Sequence, residues 1–272
     1  METKKLILLV DLDNTLICSN RRGQSKKDAF VVADDAEAIK VKIRPYCAEF
    51  LERMAEIYSM HVVTLSCKAY AQAIVKRLDP AGRLFQRVLS RTELGSVVKK
   101  TEHINELFPV GLARSVILDD RVDVWDHREN VVQVKAFHWS DEKEEEPVLQ
   151  EMERILTIIH RSYFSLAELV PDTAKIVGNY RRSILNGFRV RVEGGNPNRR
   201  VEVAQRLTSF GARTKKTLTG SPTLVVDLTR EKRKADENAT IPVVSDKWVD
   251  AVETRWSIPD VKEFLLGFQA DQ

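Results

Sequence analysis

Cysteine is scarce in this sequence: only Cys18, Cys47 and Cys67 occur among 272 residues. Their number is odd and their spacing fits no metal-ligand pattern. This argues against a disulfide framework or a cysteine metal site and favours reduced thiols in an intracellular protein. Long apolar runs are also missing. The N-terminal run Leu6–Val10 is too short for a signal peptide, and no run is long enough to span a bilayer.

A large excess of charge of one sign is absent as well. The formal net charge is only +3 and the pI is about 8.7, which permits contact with nucleic acid or acidic peptides without requiring it. What the chain does have is 43% hydrophobic residues, enough for a sizeable core. Its length of 272 residues allows one large domain or two ordinary ones.

The run Leu6–Val10 predicts a strand that is buried on both faces, as at the centre of a parallel sheet. Asp11 and Asp13 follow it directly. Ligands of open α/β sheets bind outside the carboxyl ends of the strands, so these carboxylates are expected where chemistry takes place. Both can point into one small volume, where their mutual repulsion favours a bound cation such as Mg²⁺.

The two carboxylates predict a metal-assisted phosphoryl-transfer site. Asp11 would attack phosphorus and form an aspartyl-phosphate, and Asp13 would protonate the leaving alcohol and later accept a proton from water. Thr15 would fix the loop by hydrogen bonding. A Ca²⁺ loop of the EF-hand type or an Asp-rich turn is the alternative, but Leu16 stands where an EF-hand requires Gly.

Further site candidates lie downstream. A second apolar strand, Arg114–Leu118, ends at Asp119 and Asp120 and is expected to bring another carboxylate to the same sheet edge, where it can complete a Mg²⁺ shell. Alone, these two residues would also suit a helix cap or a turn. Thr64, with Ser66, precedes a helix and suits a phosphate, although Thr64 as an ordinary strand residue is the alternative.

The remaining chain predicts the overall organisation. The polar stretch between Cys18 and Lys40 is too short for a large cap domain and predicts a flap or hairpin, which leaves the site open to a bulky substrate. The acidic run Asp141–Pro147 is expected to begin a helix that connects two domains. From about Arg182, short strands and helices predict a compact α/β domain without a catalytic cluster.

Several stretches combine into a family pattern: Asp11–Thr15, Lys42–Pro45, His61–Thr64, Leu89–Arg91 and Leu118–Trp125. They closely resemble the phosphatases of the RNA polymerase II C-terminal domain, in the haloacid dehalogenase superfamily. The last stretch points to the FCP branch, which carries a BRCT domain. The second half resembles that domain in a further set: Gly187, Gly211, Ala212, Thr223–Val226 and Ile241–Trp248.

The resemblance implies an α/β fold in three parts. Residues 1–142 would form a haloacid dehalogenase-like catalytic domain with a parallel Rossmannoid sheet, residues 143–181 a helical linker, and residues 182–272 a small α/β BRCT domain. Asp11 would be the nucleophile and Asp13 the general acid/base. Mg²⁺ would be bound by Asp11, Asp120 and the backbone carbonyl of Asp13, with Thr15 and Asp119 in support.

Three further residues would hold the phosphate or the substrate: Thr64, Arg91 and Lys100. One of Lys99 and Lys100 is expected to bind phosphate and the other to be solvated. The resemblance favours Lys100, because the family's lysine precedes a short helix that ends in Leu107–Pro109.

Two positions depart from the family pattern. Asn14 stands where Glu or Gln is frequent, which carries no chemistry. Glu193 lies where phosphopeptide-binding BRCT domains have Ser or Thr, and its carboxylate would repel phosphate, so the BRCT domain is expected to position the polymerase tail instead. The long acidic tail with which some relatives recruit a transcription factor is expected either to be absent or to have been cut away.

The resemblance implies a nuclear, Mg²⁺-dependent protein serine phosphatase. Its expected partners are a phosphorylated RNA polymerase II C-terminal domain peptide and, as further candidates, transcription factors, with no membrane. A nucleic-acid end phosphatase is an alternative, because BRCT domains occur in repair proteins and basic groups are present at Arg199–Arg200, Lys215–Lys216 and Lys232–Lys234. Those groups are scattered, which favours a solvated surface. A non-catalytic phosphopeptide scaffold is the other alternative.

Overall fold

The computed structural model describes residues 4–20, 29–34, 37–101, 104–108, 112–140, 148–165, 171–214, 221–229 and 240–269. Two compact units are present, Met1–Val177 and Gly178–Gln272. Some residues used above lie outside the described ranges: Pro109, Asp141–Pro147, Lys215, Lys216 and Lys232–Lys234. Among the helices that the structure describes, none combines the length and apolar character needed to cross a membrane.

The first unit alternates strands and helices. In chain order its elements are β1 (Leu6–Val10), β2 (Ile17–Asn20), β3 (Ala29–Asp34), β4 (Glu37–Ile43), α1 (Cys47–Ile57), β5 (Tyr58–Val63), α2 (Lys68–Leu78), β6 (Phe85–Leu89), α3 (Arg91–Leu94), α4 (Ile104–Leu107), β7 (Ser115–Asp119), β8 (Val131–Gln133) and α5 (Val148–Ser165). The division between the units falls within α6 (Thr173–Ile184). Short 3-10 helices lie at Leu112–Arg114 and Arg128–Asn130.

A five-stranded parallel sheet with the order β6-β5-β1-β7-β8 forms the centre of this unit. β1 is the middle strand, as its apolar sequence predicts, and Leu8, Leu9 and Val10 are fully buried. The register pairs Val10 with Val62 on one side and with Leu118 on the other. The carboxyl ends of β1, β5 and β7 therefore meet at one edge of the sheet.

Helices α1 and α5 pack against each other in the first unit. α1 begins at Cys47, directly after Tyr46, which adopts a left-handed conformation with φ of 65°. The apolar stripe of α5 is buried, and Tyr58 on β5 donates a hydrogen bond of 2.8 Å to the carbonyl of Leu156. α5 is thus part of the first unit, although its sequence suggests a connector.

The predicted flap is a small antiparallel sheet with the order β2-β4-β3. One face of β4 is apolar, and Ile39 and Val41 are buried. The Phe30 ring of β3 lies 5.6 Å from the guanidinium carbon of Arg77 on α2, a cation-π contact that holds the flap beside this helix.

The second unit contains a four-stranded sheet with the order β12-β11-β10-β9. Its elements after α6 are β9 (Val190–Glu193), α7 (Pro197–Ser209), β10 (Leu224–Asp227), β11 (Ile241–Ser245), α8 (Lys247–Arg255), a 3-10 helix (Val261–Phe264) and β12 (Leu265–Gln269). β9, β10 and β11 run parallel, and β12 is antiparallel to β11. Trp248 and Trp256 are buried in this unit.

Gly211 is a position where the second unit cannot accommodate a side chain. Its φ is +100°, and a Cβ atom built there would lie 1.9 Å from the carbonyl oxygen of Arg182. We therefore expect Gly211→Ala to lower the free energy of unfolding by about 3 kcal/mol or more, because the backbone must move in addition to being strained. Differential scanning calorimetry of the full chain would measure the loss.

Gly187→Ala is the matched control for that substitution. Gly187 also has a positive φ, +91°, but no atom lies within 4 Å of its built Cβ. Only the backbone strain remains, for which we expect a cost of about 1–2 kcal/mol. Equal losses in the two variants would contradict the close contact between Gly211 and Arg182.

Candidate active site

A pocket of about 480 Å³ lies at the sheet edge where β1, β5 and β7 end. It gathers seven of the site residues that the sequence predicts: Asp11, Asp13, Thr64, Arg91, Lys100, Asp119 and Asp120. Thr15, the eighth, is buried and bonded to Asp120. The carboxylates converge because parallel strands that neighbour each other deliver their following residues to the same edge.

Lys100 joins the two deepest carboxylates of this pocket. Its Nζ lies 2.5 Å from Asp11 Oδ1 and 2.6 Å from Asp119 Oδ2, and only 3% of the residue is exposed. Although burial disfavours the charged ammonium, Asp11 and Asp119 together raise the pKa of Lys100. The lysine is therefore a fixed positive charge at the centre of the site.

Asp119 is held rigidly by further donors. Trp125 donates its indole N–H to Asp119 Oδ2 over 2.8 Å, and the backbone N–H of Arg121 donates to Oδ1 over 2.9 Å. With Lys100, these bonds occupy both oxygens of the carboxylate. Asp119 thus orients the lysine, which in turn contacts Asp11.

Asp120 is half-buried and bonds with Thr15. The Thr15 hydroxyl donates to Asp120 Oδ1 over 3.3 Å and accepts the backbone N–H of Asp120 over 3.1 Å. Burial and the neighbouring charge of Asp119 raise the pKa of Asp120 to about 6. The carboxylate is therefore costly to ionise without a further positive charge nearby.

The acidic residues fit a divalent cation. One carboxylate oxygen from each of Asp11, Asp119 and Asp120 lies within 4.8 Å of the others. Burial raises the pKa of Asp11 well above its usual range, and the charge of Asp119 adds to this effect, while Lys100 opposes it. Three carboxylates share one ammonium, so a hard cation with oxygen ligands, such as Mg²⁺, would balance the charge.

Asp13 points to a different group of side chains, all of them hydroxyls. Ser66 donates to Asp13 Oδ2 over 2.7 Å, Tyr70 donates to Oδ1 over 2.9 Å, and Ser19 lies 3.4 Å from Oδ1. No sequence pattern indicates a role for Ser19 or Tyr70. Ser66, which with Thr64 precedes α2, also bonds to Asp13, which its spacing does not reveal.

The loop after β1 is fixed by its own backbone and by Arg44. The backbone N–H groups of Thr15, Leu16 and Ile17 all donate to the carbonyl of Leu12. Arg44, 1% exposed, donates to the carbonyl of Thr15 over 2.9 Å. Asn14 has φ of 62°, a left-handed conformation in which Asn is favoured. This loop sets the direction in which Asp11 and Asp13 leave the strand.

The basic and hydroxyl candidates are placed as follows. Thr64 is 1% exposed and accepts the backbone N–H of Ser66 at its hydroxyl over 3.1 Å. Arg91 is exposed at the start of α3, on the wall of the pocket. Lys99 lies outside the pocket, where its Nζ pairs with Asp126 over 3.0 Å. Lys100, not Lys99, therefore reaches the pocket carboxylates of Asp11 and Asp119.

Comparison with known proteins identifies relatives of this chain. Residues 6–165 match the model of the NLI interacting factor-like phosphatase family. A phosphatase of the RNA polymerase II C-terminal domain from Caenorhabditis elegans is 32% identical over 97% of this chain. The human protein of the same name is 38% identical over 49% of this chain. The chain spans 46% and 15% of the lengths of these two relatives.

The solved structure of Fcp1, an essential RNA polymerase II CTD phosphatase, is also similar. It has a TM-score of 0.75 and 24% identity, and the match covers 96% of each chain. This likeness confirms the predicted α/β fold with a parallel sheet. Because the family model covers residues 6–165, which include every residue of the pocket, this chain belongs to the NLI interacting factor-like phosphatase family.

Proposed function

We propose that this protein is a Mg²⁺-dependent protein serine phosphatase that acts on the heptad repeats of the RNA polymerase II C-terminal domain. The observation that carries the proposal is the ammonium of Lys100, bonded to Asp11 within a cluster of three carboxylates. The names of the relatives from C. elegans and human support the choice of substrate. The same substrate would place the protein in the nucleus.

Asp11 is the nucleophile in this proposal. Its carboxylate attacks phosphorus, the bond from phosphorus to the serine oxygen breaks, and an aspartyl-phosphate forms. Lys100 orients the attacking carboxylate and lies close enough to offset charge on the transferred phosphoryl group. Thr64 and Arg91, on the wall of the pocket, would bind its remaining oxygens.

Asp13 is the general acid and base. It protonates the serine oxygen as that oxygen leaves, and in the second half-reaction it removes a proton from the water that attacks the aspartyl-phosphate. The products are serine, inorganic phosphate and regenerated Asp11. Among the described residues, the side chain of Asp13 contacts the hydroxyls of Ser19, Ser66 and Tyr70. It lies outside the ion pair between Lys100 and Asp11, which suits a group that must give up and accept a proton.

Asp11, Asp120 and the backbone carbonyl of Asp13 would hold the Mg²⁺ ion, with Asp119 and Thr15 in support. When bound, the ion supplies positive charge that stabilises the oxygens of the phosphoryl group in the transition state. Asp119 would support the site through its hydrogen bond with Lys100. Thr15 would support it through its hydrogen bond with Asp120.

The second unit is, in this proposal, a BRCT domain at about residues 182–272. It follows a catalytic domain at 1–142 and a helical linker at 143–181, whose helix α5 packs on α1 within the first unit. Glu193 lies at the end of β9, where it pairs with Arg191 over 2.6 Å. By the family resemblance, its carboxylate stands at the position where phosphopeptide-binding BRCT domains have Ser or Thr. This supports a role in positioning the polymerase tail rather than in reading its phosphate. Transcription factors are further candidate partners.

Phosphate release from doubly phosphorylated polymerase repeat peptides tests the proposal. We expect release in the presence of Mg²⁺ and a loss of at least about 100-fold with EDTA. A 3′-phosphorylated oligonucleotide serves as the competing substrate. Faster release from the oligonucleotide would identify a nucleic-acid end phosphatase instead, and no release from either substrate by the folded protein would favour a scaffold.

A further inference from the structure

We infer that Tyr70 and Ser66 are positioning residues for Asp13, which aim its carboxyl group at the leaving serine oxygen. The inference rests on the proposed function and adds two side chains to its machinery. Tyr70 reaches Asp13 from α2, and Ser66 from the loop between β5 and α2. Each binds a different oxygen of the same carboxylate.

Two hydroxyls on opposite oxygens fix both the place and the plane of a carboxyl group. The Ser66 bond to Oδ2 is 2.7 Å long and the Tyr70 bond to Oδ1 is 2.9 Å long. Tyr70 is only 4% exposed, so the packing of its ring holds the hydroxyl in position. Ser66 is held by its backbone N–H, which donates to the Thr64 hydroxyl. Ser19, 3.4 Å away, is a weaker third contact.

This arrangement serves Asp13 in both half-reactions, but its effect on the departure of the serine oxygen can be measured alone, because kcat/KM reports the steps up to formation of the aspartyl-phosphate. A general acid must deliver its proton along the line to the departing oxygen, and a misplacement of about 1 Å costs on the order of 100-fold in rate. An alkoxide such as that of serine leaves poorly and needs this proton. A nitrophenolate leaves without it. The contribution of Tyr70 and Ser66 should therefore depend on the leaving group.

The test compares kcat/KM for two substrates in the full chain, a phosphoserine repeat peptide and 2,4-dinitrophenyl phosphate. For Tyr70→Phe and Ser66→Ala we expect losses of about 10- to 100-fold on the peptide and less than about threefold on the aryl phosphate. Ser19→Ala should lose least. In an Asp13→Asn background, Tyr70→Phe should cause no further loss on the peptide, because the group it aims is gone.

Tyr58→Phe is the matched control, since it also removes a buried tyrosine hydroxyl, one that donates to Leu156 over 2.8 Å. It should leave the ratio of the two substrates unchanged. Equal losses of Tyr70→Phe on both substrates, or no loss on either, would overturn the positioning role. If the wild type hydrolyses neither substrate, the proposed function itself fails. A failure of this inference alone is a different result, because the wild type is then active.

Discussion

Asp11→Asn is expected to lower kcat for phosphopeptide hydrolysis by about 10⁴-fold or more while the protein stays folded. The amide has the shape of the carboxylate but cannot attack phosphorus. Lys100 retains its bond to Asp119, and one of three mutually repelling carboxylates is removed. The free energy of unfolding should therefore fall by no more than about 1 kcal/mol. Phosphate release and thermal unfolding measured on the same preparation give both quantities.

Asp126→Asn is the control for this change. Asp126 is also paired with a lysine, Lys99, over 3.0 Å, but its side chain is 64% exposed and lies outside the pocket. Activity should stay within about twofold of the wild type, because Asp126 lies outside the pocket. The free energy of unfolding should also change little, because exposed ion pairs contribute little to stability. If Asp11→Asn retained activity near this level, the nucleophile would have to be another group.

Lys100→Met is expected to damage both activity and stability. Without the ammonium, Asp11 and Asp119 face each other in a buried site, and breaking a buried ion pair costs about 3–5 kcal/mol. Activity should fall by about 10³-fold, because the charge that holds the nucleophile and the phosphoryl group is lost. Chemical denaturation and peptide hydrolysis would measure the two effects.

The stability loss should depend on pH. Burial and Asp119 raise the pKa of Asp11, and removal of Lys100 takes away the interaction that opposes this rise. A carboxyl group with a raised pKa binds more protons in the folded than in the unfolded state, so stability falls as pH increases. The deficit of Lys100→Met should be larger at about pH 8 than at about pH 5. Lys99→Met, which removes an exposed charge, should show neither effect.

The acidic part of the site is predictable because each carboxylate follows a recognisable strand. The apolar run before Asp11 and the one before Asp119 both indicate buried parallel strands, and neighbouring strands share an edge. Tyr70 escapes such reasoning. A tyrosine within an amphipathic helix suggests only a core residue, and nothing in the spacing shows that its hydroxyl reaches Asp13.

The organisation of the chain is predictable only in part. The apolar stripe of α5 shows that one face of the helix is buried, but its periodicity does not identify the element against which that face packs. That element is α1 of the first unit. The flap likewise proves to have three strands. β12 is not predicted from the sequence, because its pairing with β11 depends on a chain reversal after α8 that local patterns do not specify.

The middle position of β1 bears on how the protein is made. This strand is synthesised before both of its neighbours, and the register joins Ile7 to Ser115 of β7, so its second neighbour exists only after much more chain has been translated. Because translation adds about 5–20 residues per second, roughly 5–20 s pass between the synthesis of β1 and that of β7. A nascent chain that stops before Asp120 would have no complete acidic cluster. Synthesis of Asp120, directly after β7, is therefore the earliest point in translation at which the acidic cluster can be complete.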